Sequence, residues 1–410
     1  MRVLVLNAGS SSLKSCLYEL NEPLPQAPPM PLWEGRVEWD EPFRNVRVWA
    51  KREGRLVVRE QPDLQSEHAA VEHLVQTLWQ GPARVLAEPA EVEIVGHRVV
   101  HGGKKYSAPT LVTAEVKQAI SRLSAFAPEH NPAEVDGIET AERIFKSRPH
   151  VAVFDTAFHQ TLPKYAAVYA GPYAWFERGI RRYGFHGISH QYCAARASQI
   201  LRKPLESLRV VTCHLGHGCS LAAVRNGRSV DTTMGFTPLE GLMMGSRCGT
   251  IDPGILIHLL REEKYSADRL EQLLNRESGL LGVSGVSDDM RQILSAIESG
   301  NARARLAFDV FIHRLRQHLG AMIASLGGVD ALAFTAGIGE NSPEVRAEAC
   351  AGFEFLDLKI DQHKNSQSPV DCDIASPDSA VRVVVVAARE DWAIAQECWR
   401  FAHSASALGL

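Results

Sequence analysis

An α/β chain built as two similar halves is the fold this sequence predicts, and three observations predict it. Short apolar runs suited to strands alternate with amphipathic stretches suited to helices. A strand that runs through a small-residue turn into a second strand occurs twice, at Val3–Lys14 and again at Val210–Ser220. The chain has 410 residues, too many for one core at ~150 residues per domain. Two halves facing each other across a cleft are therefore expected, although the two turns share only glycine and serine. Apolar residues at 45% and charged residues at 22% exclude a disordered, coiled-coil or collagen-like chain.

The elements follow in order. Val3–Leu6 and Leu13–Leu20 read as strands joined through Asn7, Ala8, Gly9, Ser10, Ser11 and Ser12. The proline-rich stretch Pro23–Pro31 reads as a surface loop. Val92–Val100 is a strand, Pro132–Phe145 an amphipathic helix, and Val151–Asp155 a strand that ends on a carboxylate. Val210–His214 is followed by Ser220–Arg225 and Arg228–Thr232, with Asn226-Gly227 as a two-residue hairpin turn. Ala302–Leu326 is a long helix and Ala331–Thr335 a strand running into the turn Ala336–Ser342, after which Pro343 is placed to start a helix. Val381–Ala387 is the last strand.

Charge and composition narrow the function. Forty-four Lys and Arg against 48 Asp and Glu leave −4, which gives no global attraction to nucleic acid or to an anionic membrane. The longest apolar run, Val383–Ala388, is far short of the ~18 residues of a membrane span, and no export signal follows Met1-Arg2. Eight scattered cysteines without a CxxC pair suit reduced thiols and a cytoplasmic protein.

Any anion must then be bound locally. Inward-pointing N–H groups around a small-residue turn cradle phosphate oxygens. The turns at Asn7–Ser12, Leu215–Gly218 and Gly337–Asn341 qualify, although each alone also reads as a plain connection; no Walker motif occurs. Arg98 and Arg247 lie in apolar, glycine-flanked segments and carry the planar fork that grips phosphate or carboxylate; a structural ion pair is the alternative for each. The spacings His186-x3-His190 and His214-x2-His217 invite zinc, but no third ligand accompanies either, so these histidines read as hydrogen-bond donors. Asp155 and Glu390 stand at strand ends, where a carboxylate can hold Mg²⁺ beside a nucleotide or cap a helix. Asp288-Asp289 reads as a helix cap first and a nucleotide contact second.

Assembled, these segments resemble the acetate kinase (acetokinase) family of the acetate and sugar kinase/actin superfamily. The likeness rests on Asn7–Lys14, Gly96–Gly103, His130-Asn131-Pro132, Val153–His159, Tyr183–Gly187, Asp231–Arg247, Gly337–Ser342 and Glu390. It implies duplicated ribonuclease-H-like (actin-like ATPase) domains, the first formed by residues 1–158 and 391–410 and the second by 159–390. It further implies Mg²⁺-dependent phosphoryl transfer (Mn²⁺ as an alternative) between ATP/ADP and acetate/acetyl phosphate, and a homodimer. Carried over residue by residue, Asn7 and Glu390 would serve the metal. Ser10, Ser12, Lys14, His214, Leu215, Gly216, His217, Gly218, Asp289, Met290, Arg291, Gly337, Ile338, Gly339, Glu340 and Asn341 would serve the nucleotide.

Arg98, Val100, Phe185 and Pro238 would meet the acyl substrate, with Asp155, Arg98, His186 and Arg247 as the catalytic set. A carboxylate acceptor needs no base, so Asp155 is expected to orient Arg247 or the metal's waters. Replacing Arg98 or Arg247 is expected to spare the fold. The chain departs from the family at His217 (usually Asn), Glu129 (usually Leu), and Cys248 and Thr250 (commonly Ser and Asp). Glu129 is expected to turn away from the acyl pocket, toward solvent or toward Lys104 or Lys105. Propionate or a hydroxylated acid is the nearest alternative acceptor. A sugar kinase and a nucleotide-binding switch or filament protein are the rivals from other classes.

Overall fold

The computed structural model describes residues 1–9, 12–40, 45–125 and 131–407. Ser10, Glu129 and His130 lie outside the described residues. The chain divides into two units: Met1–Ala157 with Arg389–Leu410, and Phe158–Ala388.

In the first unit, eight strands among the described residues make one mixed sheet. They are β1 (Arg2–Gly9), β2 (Ser12–Glu19), β3 (Trp33–Trp39), β4 (Val46–Arg52), β5 (Arg55–Glu60), β6 (Ile94–Val99), β7 (Thr110–Leu111) and β8 (His150–Phe154), in the order β5-β4-β3-β2-β1-β6-β8-β7. β1 pairs antiparallel with β2 and parallel with β6, and β6 pairs parallel with β8. The helices Asn131–Ile144 and Glu390–Ala407 both pack on β1 and β6, which is why Val3, Leu4 and Val5 form an unbroken apolar run with no exposure. Gly96 on β6 permits the close approach of the second of these helices: a methyl group there would lie 2.5 Å from Cys398 Sγ and 2.8 Å from Ile394 Cγ2. Strands β3, β4 and β5 were not expected from the sequence. β3 buries Trp33, Gly35, Val37 and Trp39 and turns Glu34, Arg36 and Glu38 outward, a period of two written in mixed chemistry.

The second unit repeats the succession. Its strands β9 (Arg209–Leu215), β10 (Cys219–Arg225), β11 (Arg228–Thr232), β12 (Ala331–Thr335), β13 (Cys372–Asp373) and β14 (Arg382–Val385) lie in the order β11-β10-β9-β12-β14-β13. As with β3-β2-β1-β6-β8-β7, two antiparallel pairings lead to two parallel ones and the sheet closes with an antiparallel strand. Asn226 and Gly227 both have positive φ, 54° and 71°, as a type I′ hairpin turn requires. The long helix Ala302–Leu326 starts on the Asn301 cap, ends on left-handed Gly327, and packs on β10. The turn expected after β12 is itself helical: Ala336–Asn341 forms a short helix, and Pro343 opens the next, Pro343–Ala351, behind the Ser342 cap. No described helix is long and apolar enough to cross a membrane.

Candidate active site

Four predicted residues of the first unit meet in one polar cluster. Arg98 projects from β6; its Nη2 donates to Asp155 Oδ2 at 2.5 Å and its Nη1 to Asn7 Oδ1 at 3.4 Å. Its Nε lies 3.7 Å from Glu390 Oε2, the oxygen to which Asn7 Nδ2 donates at 3.3 Å. Asp155 is 1% exposed and Arg98 15%. Burial pushes the Asp155 carboxyl up, to about 6, against the pull of Arg98. Burial also works against the Arg98 charge, but Asp155 and Glu390 more than offset it and hold the guanidinium above its ordinary value. Asp155, expected to orient Arg247 or the metal's waters, is bonded by Arg98 of its own unit. Among the described residues, Asp155 Oδ1 and Arg98 Nε are buried without a hydrogen-bond partner. Lys14 is exposed on β2 directly across from Asn7, and Ser12 opens that strand opposite Gly9. Val100 is buried just after β6, and its amide is held by Glu134.

The cluster suits a hard divalent cation. Such ions take oxygen ligands, and Mg²⁺ keeps several of its waters. Asn7 Oδ1, the Glu390 carboxylate and the unpartnered Asp155 Oδ1 are donors of that kind.

A second set converges in the other unit. His186 stands ahead of the helix Gly187–Leu201 with φ 55° and ψ 26°, a left-handed conformation that costs a non-glycine residue roughly 1–2 kcal/mol. A hydroxyl relay fixes its ring. Thr212 donates to the Ala222 carbonyl, so it accepts from His190 Nδ1 at 2.7 Å. Burial holds His190 well below its ordinary pKa, so the ring is neutral and its Nε2 accepts from Ser220 at 2.8 Å. Ser220 Oγ in turn accepts from His186 Nδ1 at 2.8 Å. The His186 ring stacks on His214 at 4.1 Å between centroids, and His214 Nδ1 bonds Ser189 at 2.7 Å. Phe185 is buried, and its carbonyl accepts from His159 Nε2 at 3.0 Å. Gly218 marks the convergence: a side chain there would begin 3.4 Å from His186 and 3.6 Å from Arg247 Nη1. Half-buried Arg247 also reaches the Pro238 carbonyl at 3.5 Å.

Nearby in the same unit, a cavity of about 670 Å³ is lined by Gly216, His217, Asp288, Asp289, Met290, Arg291, Leu294, Gly337, Ile338, Asn341 and Ser342. Eight of the predicted nucleotide residues line it. Leu215 and Gly339 are buried and outside its lining, and Glu340 turns its carboxylate to the Ala388 amide at 2.9 Å. Asp289 caps the helix Met290–Glu298 and pairs with Arg291, as the cap-first reading expects. His217 bonds Asp288 at 3.1 Å at the rim.

The family model of the acetokinase family matches residues 2–396. The chain belongs to that family. Acetate kinase of a Cyanothece species is 58% identical over 406 residues, 99% of this chain and 100% of the relative. That of Gloeobacter violaceus is 57% identical, covering 98% and 99%. Among solved structures, acetate kinase of Porphyromonas gingivalis matches with a TM-score of 0.88 at 39% identity over 98% and 99% of the two chains. A propionate kinase from Francisella tularensis matches with 0.88 at 38% over 97% and 99%.

Three residues of this acetokinase-family site escaped sequence reasoning. Ser220 links two imidazoles, but in sequence it is one more small residue after a turn. Arg346, with no exposure, donates to the Gly339 and Glu340 carbonyls at 2.8 Å and so pins the helix Ala336–Asn341 that lines the cavity. Glu134 sits in the first turn of its helix, where an acidic residue reads as a partner of the helix dipole.

Proposed function

We propose that the chain is an acetate kinase, transferring the γ-phosphoryl group of ATP reversibly to acetate to give acetyl phosphate and ADP. What carries the reading is the near-complete match to acetate kinases, at 58% identity over 406 residues. The Arg98 cluster supports it as an anion grip, and the 670 Å³ cavity supports it as a nucleotide recess.

The acceptor arrives as a carboxylate, ionised at pH 7, so no base is required. One of its oxygens attacks the γ-phosphorus in line; the bond to the bridging oxygen breaks and its electron pair leaves with ADP. Charge spreads over the equatorial oxygens, and fixed cations and donors supply most of the catalysis. Arg98, Arg247 and His186 are the groups proposed for that task, His186 as an imidazolium donating through Nε2, because its Nδ1–H is committed to Ser220. Asp155 holds Arg98 in place. Val100, Phe185 and Pro238 would contact the acyl group. Asn7 and Glu390 would hold Mg²⁺ or its waters, and the ion, when bound, neutralises phosphate charge. Ser10, Ser12 and Lys14 would serve the phosphates, and the cavity the nucleoside. A homodimer and a cytoplasmic location belong to the same reading. The helix Pro253–Arg261, which buries none of its residues and exposes Ile255, Ile257 and Leu260, supports the first, and eight free thiols support the second.

Trapping with hydroxylamine tests the assignment, because only an acyl phosphate yields a hydroxamate. Hydroxamate should form from acetate and ATP. Phosphorylation of a sugar with none formed from acetate would sink the reading. The propionate kinase likeness makes propionate the comparison that matters, and a higher kcat/KM for it than for acetate would reassign the acceptor.

A further inference from the structure

Glu134 is a buried carboxyl with no part in the mechanism above. It is 2% exposed, and both its oxygens accept from the Val100 amide at 3.1 Å. Val100 lies two residues beyond Arg98 on the same chain segment, so this clamp bears on the backbone that carries the anion grip. The hydrogen bonds of Glu134 go to a backbone N–H rather than to a cation, an unusual state for a buried acid.

We propose that Glu134 is a positioning residue for the acceptor: it fixes the Val100 segment and, when ionised, adds a third negative charge to the field of Arg98, weakening the hold on an anionic acyl substrate. This rests on the reading of Arg98 and Val100 as acceptor residues. Among the described residues, the charged groups that act on Glu134 are Arg98 from β6 and Asp155 after β8. On the other elements packed against its helix, Lys117 of the helix Ala114–Arg122 faces Glu139 and Glu142, and Glu67 of the helix Glu67–Gln76 faces Asp136. Burial lifts the Glu134 carboxyl to about 8, with Asp155 adding to the lift and Arg98 and the Val100 N–H opposing it. The switch therefore falls well above the titration of Asp155, near 6.

The test is the acetate KM as a function of pH for the wild type, Glu134→Gln and Glu134→Leu. In the wild type the KM should rise roughly fivefold or more as pH passes through about 8, with the ATP KM unmoved over that step. Glutamine keeps an acceptor for the Val100 amide but cannot ionise, so its step should vanish. Leucine removes the clamp and should raise the acetate KM at every pH. An alkaline step that persists in Glu134→Gln overturns the charge role, and an unchanged acetate KM in a folded Glu134→Leu overturns the positioning role. Should the leucine variant not fold, the glutamine profile still decides. A wild type that makes no acetyl phosphate at all would instead remove the functional reading on which this inference rests.

Discussion

Arg98 is the counter-charge of a buried acid and, in the function proposed, an anion grip, and the two roles can be separated. Removing it should cost about 10²–10³-fold in turnover. It should also destabilise the protein, because Asp155, 1% exposed, would lose its cation, against the expectation that replacing Arg98 spares the fold. The double variant Arg98→Ala/Asp155→Asn should recover thermal stability without recovering activity. Recovered turnover in that variant would show Arg98 to be structural only. The stability cost of Arg98→Ala should be smaller near pH 5 than near pH 8, since Asp155 can then take a proton. The arginine and carboxylates of this cluster were legible in sequence because glycine and strand ends flank them. Which acid pairs with which arginine was not legible, because that depends on strand order: β6 and β8 are neighbours only after 50 intervening residues have folded elsewhere. Ser220→Ala should lower kcat with little change in the ATP KM, because it frees the His186 ring without touching the cavity. An equal rise in ATP KM would contradict the relay.

Among the elements, the strands of the two parallel cores were readable because burial on both sides makes them continuous apolar runs. β3 to β5 were not, since an antiparallel extension with one wet face interleaves Trp and Val with Arg, Glu and Lys. The short helix after β12 was missed for a different reason: Gly337 and Gly339 speak against a helix, and it is Arg346 from the following helix that pins it. Arg346→Met should therefore raise the ATP KM by roughly tenfold while leaving the acetate KM nearly constant, its buried donors being the clamp on that element. Equal changes in both constants would point to general unfolding. Gly96→Ala should push the helix Glu390–Ala407 off β6 and so weaken the Mg²⁺ binding proposed at Asn7 and Glu390, read as a higher metal concentration for half-maximal rate.

At the scale of the molecule, the two units should respond differently to acid. In the second unit, burial holds His159 near 4 and His190 and His318 below their ordinary values, so folding disfavours the charged form of each ring. Unfolded, they would titrate near ~6.5. Their contribution is therefore present above pH ~6.5 and is lost as pH falls below it, at about 1.4 kcal/mol per pH unit for each fully depressed histidine. The first unit holds His97, His101 and His150 in the same state, but burial raises Glu67 to about 7, Glu134 to about 8 and Asp155 to about 6. Those carboxyls have the opposite sign: their contribution is full below the unfolded value and disappears as pH rises through the folded one. The second unit should therefore lose hydrogen-exchange protection first between pH 6.5 and 5, at β9 and β12 before β1 and β6. Simultaneous loss would show that the units unfold as one.

Residue 7 and residue 390 share an oxygen atom's surroundings, and that imposes an order on synthesis. The unit Phe158–Ala388 is one unbroken stretch of chain, whereas the unit begun by Met1–Ala157 is completed by Arg389–Leu410. The portion begun first must wait, its sheet lacking the helix that carries Glu390 until the whole of the other unit has been made. A nascent chain is thus without its full carboxylate set until that helix has emerged, and one stopped before residue 390 never acquires it.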